Sequence, residues 1–117
     1  MEYNLEERTT KFAEDIIDFI KSIKQTRINE SIIVQLLRAG TSVGANYCEA
    51  NGASSKKDFR NKICICRKEI QETKYWFKMI DKMMPELNIK TKKIWTEAQE
   101  LTLIFAKIIS TVDKNSL

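Results

Sequence analysis

The sequence has no histidine, one proline, three glycines and three cysteines in 117 residues, and each shortage removes a class of answers. Without histidine there is no Ser–His–Asp or Cys–His arrangement, and no Glu-x-x-His pair of the kind that holds di-iron in helical bundles. So little glycine and proline cannot supply the many turns of an all-β fold. The glycines stand at 40, 44 and 52, a spacing that fits neither GxGxxG nor GxxxxGK[ST]. Cys48, Cys64 and Cys66 are odd in number and lack CxxC spacing. On a helix Cys64 and Cys66 point about 160° apart, so they cannot share one ion. Reduced thiols in a cytoplasmic protein are the expectation. No apolar run approaches the roughly 20 residues that span a bilayer, and the acidic opening Met1 to Glu7 lacks the order of a signal peptide. A non-enzymatic protein without metal, cofactor or membrane span is expected.

What is present is a globular composition, 43% hydrophobic and 31% charged, in a chain of one-domain size. The net charge of +4 is uneven. Residues 55–84 carry nine bases and four acids, a balance of +5 that more than accounts for the whole excess.

Four segments show helical periodicity, predicted over about 5–24, 30–51, 55–84 and 90–113. In the first, Leu5, Phe12, Ile16, Phe19 and Ile23 fall within about 60° of arc. In the second, Ile32, Leu36, Ala39, Val43, Tyr47 and Ala50 share a face, with Asn29 or Ser31 as candidate N-cap. Gly40 and Gly44 lie beside that face. Each costs about 1 kcal/mol relative to alanine inside a helix, which close approach of a neighbour would offset. Asn51-Gly52 offers a left-handed C-cap, and Ser55 with Asp58 resembles a capping box. Phe59, Ile63, Cys66, Ile70, Phe77, Ile80 and Met84 line the third segment, which Pro85 should stop. Ile94, Ala98, Leu101, Phe105, Ile108 and Val112 line the fourth, and residues 114–117 are expected to fray. Short links make sequential helices antiparallel, so the fold class is all-α: an up-down-up-down four-helix bundle over residues 1–117.

Two constellations remain. Arg38, Ser42 and Glu49 share a second face of segment two, with Asn46 at its edge. On segment three Glu69 falls inside the apolar arc and Glu72 flanks it. A carboxylate on a buried face needs a partner, so Glu69 is expected to meet Arg38 or another base between helices, as a structural clamp rather than a catalytic group. The second constellation is basic. Lys56, Arg60, Arg67, Lys74 and Lys78 occupy about 40° of arc on segment three. Lys57, Lys68 and Lys82 widen the row, and Tyr75 within it is placed to stack on a base. The residues alone leave a phosphate-binding edge and a solvated helix face as equal readings.

The stretch QLLRAGTSVGANYCEAN (35–51), followed by Ser55 to Phe59, Lys62, Lys68-Glu69, Glu72-Thr73 and Tyr75-Trp76, resembles the four helix bundle protein family. These are small bacterial proteins first noticed as products of reading frames inside intervening sequences of 23S rRNA genes. The family is similar in turn to the accessory protein of diversity-generating retroelements, which partners a reverse transcriptase. In Glu49-Ala50-Asn51-Gly52 the glycine is displaced from its usual place, a minor departure. The resemblance implies four-helix bundles that assemble as homo-oligomeric rings, typically pentamers around a central channel. It also implies nucleic acid (rRNA or other structured RNA or DNA) held on the basic row. The alternative it implies is a scaffold for a protein partner, for example a reverse transcriptase.

Overall fold

A computed structural model describes residues 4–115. It contains α1 (Leu5–Lys21), α2 (Glu30–Asn51), α3 (Lys56–Met83), a 3-10 turn (Pro85–Leu87) and α4 (Asn88–Asn115), and no strand among the described residues.

Cross-helix pairs fix the topology. Arg38 with Glu69, Val43 with Cys66, and Glu49 with Lys62 run in opposite directions along α2 and α3. Arg60 with Asp113, Lys74 with Gln99, and Asp81 with Thr91 do the same for α3 and α4. Ile16 against Gly40 and Thr9 against Gly44 make α1 and α2 antiparallel. The fold is therefore the expected up-down-up-down bundle, 50 Å long and 22 × 20 Å across.

The apolar stripes meet at the centre. Phe12, Ile16, Leu36, Val43, Ile70, Phe77, Leu101 and Phe105 are almost wholly buried. The diagonals close through aromatic pairs: Phe19 and Phe77 at 5.9 Å, Tyr47 and Phe105 at 6.2 Å. The α2–α3 seam is the most extensive and the α1–α4 seam the thinnest of the four. An open groove of about 590 Å³ lies along the latter, floored by Phe12, Phe19 and Ile94.

The helix ends depart from the expectations in instructive ways. α1 stops at Lys21 rather than 24, because the Ser22 hydroxyl donates to the Phe19 carbonyl (2.6 Å) and the chain tightens there. Ile23 still keeps its place in the core, but as a plug outside the helix. Asn29 precedes α2 without capping it. Its buried side chain accepts from the Thr26 N–H (2.8 Å) and donates to the Lys24 carbonyl (3.1 Å), stapling the α1–α2 link. Gly52 has φ −99°, so no left-handed cap forms. The last turn instead tightens through Gly52 N–H to Glu49 O and Ala53 N–H to Ala50 O, both 3.1 Å.

Ser55 caps α3 by accepting from the Asp58 N–H (3.0 Å), while Asp58 reaches back to the Ser54 N–H instead of Ser55. α3 ends at Met83, and the 3-10 turn begun by Pro85 leads straight into α4, which starts at Asn88 rather than 90. Lys114 and Asn115 continue α4 instead of fraying, and 116–117 lie outside the described residues.

Candidate nucleic-acid interface

The basic row lies on the side of α3 that borders α4 and solvent. Lys56, Lys57, Arg67, Lys68 and Lys78 are exposed, and among the described residues none has a carboxylate partner. They span 22 positions, about 33 Å of helix. Lys82, which widens the row, is exposed as well, while Arg60 and Lys74 are engaged. Arg60 is forked onto Asp113, its terminal nitrogen donating at 3.0 Å. That hydrogen bond holds the Asp113 carboxyl below the usual carboxylate range and raises Arg60, so both stay charged and offset one another. Lys74 donates to Gln99 Oε1, and its ammonium sits 4.9 Å from the centre of the Trp95 ring. Two acids of α3 itself are likewise occupied: Asp58 by the cap of α3 and Asp81 by the Thr91 hydroxyl.

Trp95 is the residue that sequence reasoning missed. It falls just off the apolar stripe of α4, at the α3 side, where periodicity assigns it to neither core nor surface. The available signal was its spacing: Trp95 and Gln99 are four apart on α4, so both project at the same seam.

The polar group separates into two clamps and two self-contained residues. Arg38 crosses from α2 to α3, donating to Glu69 Oε2 at 3.0 Å and to Glu72, while its Nε donates to Gln35. Glu72 also accepts from the Trp76 indole (3.1 Å), which locks that carboxylate in place. Glu49 belongs to the second clamp, accepting from Lys62 at 2.8 Å. Ser42 and Asn46 join neither clamp. The Ser42 hydroxyl donates to the Arg38 carbonyl (2.7 Å) and the Asn46 amide to the Ser42 carbonyl (2.8 Å), both within α2.

Among the described residues no three His, Cys, Asp or Glu side chains converge to hold a metal ion. Cys66 is buried, its thiol donates to the Val43 carbonyl, and burial pushes its pKa up to about 12. A thiol so placed is not a nucleophile at neutral pH. Among the described residues no helix is long and apolar enough to cross a membrane.

These features define an antiparallel four-helix bundle, clamped by ion pairs across α2–α3, with an unneutralised basic edge on α3. The sequence matches the model of the 23S rRNA-intervening sequence protein family over residues 2–110, and the chain belongs to that family. It is also similar to a crystal structure, at 1.70 Å resolution, of a protein with unknown function from the S23 ribosomal protein family of Bacteroides thetaiotaomicron VPI-5482. The TM-score is 0.80 at 30% identity, over 89% of this chain and 96% of that one. None of the curated proteins matches the sequence. Neither description names a catalytic activity.

Proposed function

We propose that this protein is a non-catalytic, self-assembling bundle that binds structured RNA or DNA along the outer edge of α3. The observation that carries it is the row Lys56, Lys57, Arg67, Lys68 and Lys78, exposed and without acid partners where Arg60 and Lys74 are already engaged. Cations left unneutralised along about 33 Å of a rigid helix match the regular charge of a phosphate backbone. A helix face evolved only for solubility would intersperse both signs.

Self-assembly is supported by apolar side chains left outside the bundle on opposite sides. Val34 on α2 is 57% exposed, with Leu37 beside it and Ile17 on the neighbouring α1; Leu103 on α4 is 61% exposed. Exposed apolar side chains on diagonally opposed helices, Val34 with Leu37 on α2 and Leu103 on α4, suit head-to-tail contacts, which close into rings. A second copy of the chain is the occupant that the family resemblance implies.

The test is a charge reversal confined to partnerless positions. Lys57→Glu/Arg67→Glu/Lys68→Glu should weaken binding of a fluorescein-labelled RNA hairpin at least about tenfold and flatten the slope of log affinity against log salt by about three. Its circular dichroism should be unchanged, since none of the three makes an internal bond. Unchanged affinity would reject α3 as the site.

A further inference from the structure

Where the basic row passes the α3–α4 seam it meets an exposed aromatic site. A shallow depression of about 230 Å³ there is lined by Gln71, Lys74, Tyr75, Lys78 and Trp95. Tyr75 is 51% and Trp95 39% exposed, although each lies on a helix with a filled apolar stripe. Both rings therefore leave aromatic area open to solvent at the seam. Tyr75 stands edge to face with Trp76 at 5.0 Å, which fixes its ring, and Lys74 lies over the Trp95 face. The ammonium is held there by the electron-rich indole face, which it covers in the free protein.

We infer that, given nucleic-acid binding by α3, this depression takes one unpaired base of the bound strand, stacked on Trp95 beside Tyr75. The volume falls below the usual range for drug-sized ligands and suits a single planar heterocycle. The chemistry is that of a single-strand platform: aromatic faces that accept any base, with cations at the rim for the flanking phosphates. In the free protein Lys74 covers the ring. When a base takes that face, Lys74 turns outward to a phosphate and joins Lys78. A fully paired duplex has no free base face to offer, so it engages the basic row alone. The preferred ligand is thus a nucleic acid with an unpaired nucleotide next to a phosphate-rich stem.

Fluorescence separates this from binding as such. The chain has two tryptophans, so Trp76→Phe leaves Trp95 as the sole indole reporter. That variant is titrated at low salt with a 12-nucleotide single strand, as RNA and as DNA, and with a blunt duplex of the same length; binding is followed by anisotropy of a label on the nucleic acid. Both single strands should quench Trp95, and the duplex should bind without quenching it. Trp95→Leu in the wild-type background should weaken single-strand binding about tenfold, the usual loss for one stacked base, and leave duplex binding unchanged. Tyr75→Leu, a change at an exposed position, should move the same way by a smaller factor. Binding of single strands without quenching, or equal quenching by duplex, would overturn the stacking site while leaving the basic edge standing. Quenching by RNA alone would assign recognition to the ribose and would also overturn it. Absence of any anisotropy change would overturn both.

Discussion

Replacing Arg38 by alanine is expected to lower the stability of the folded protein by about 2 kcal/mol, a fall in melting temperature of roughly 8 °C for a domain of this size. The guanidinium is the cation that reaches Glu69, whose side chain is only 12% exposed, and it serves Glu72 as well. Removing one partner from a fully buried pair typically costs about 3–5 kcal/mol. Arg38 itself is almost half exposed, so solvent screens part of that, and the lower figure applies. The cost lies mostly in the carboxylate left behind. Arg38→Met/Glu69→Leu should therefore recover most of the loss, because an apolar pair asks for no compensation. Lys21→Ala, an exposed change on α1, should stay within about 0.5 kcal/mol. Equal melting temperatures for Arg38→Ala and Lys21→Ala would remove the clamp from the account.

The second large effect concerns Gly40. A Cβ built there would run into Ile16 Cδ1, and Ile16 is completely buried, so the methyl occupies the notch that the missing side chain leaves. Gly40→Ala gains about 1 kcal/mol of helix propensity and incurs overpacking of up to about 3 kcal/mol, because the buried Ile16 methyl has no space to move into, so it should destabilise by up to about 2 kcal/mol. Gly44→Ala should not. The nearest atom there is Thr9 Oγ1 at 3.3 Å, which needs a shift of only a few tenths of an ångström, and the propensity gain carries the balance to neutral or slightly stabilising. Ile16→Val deletes the clashing methyl and alone costs about 1 kcal/mol. Combined with Gly40→Ala it should cost less than the sum of the two single changes, by at least about 1 kcal/mol. Urea melts of the four proteins check this directly, and strict additivity would contradict the notch.

These two sites show what the sequence made legible and where it stopped. The glycine pair announced a close approach, and the partner proved to be α1, whose Ile16 and Thr9 meet the two positions. Glu69 announced a clamp because a carboxylate fell inside an apolar arc. Ser42 and Asn46 appeared on the same face as Arg38, yet they bond to their own helix, because short polar side chains reach a carbonyl one turn back more easily than a neighbouring helix. Periodicity placed Ile23 correctly in the core and misplaced the end of α1, since burial does not require helical backbone. Arg60 and Lys74 looked like members of a free row. Their engagement by Asp113, Gln99 and Trp95 depends on α4, and nothing within α3 records it.

Those last two residues bear on function. The row as read along one helix held eight cations; in the fold its α4-facing members are tied down and the outer ones remain available. The charge is therefore displaced toward solvent and leads into the Trp95 site.

The most direct test is light scattering of the full chain, alone and with a structured RNA carrying an unpaired loop, across a salt series. The protein alone should show one oligomeric mass independent of salt, because its self-contacts are apolar. With RNA at low salt the mass should rise by bound nucleic acid, and the added mass should vanish steeply as salt increases. A monomer under all conditions, or no RNA-dependent mass at the lowest salt, would contradict the assignment of this bundle as a self-assembling nucleic-acid-binding protein.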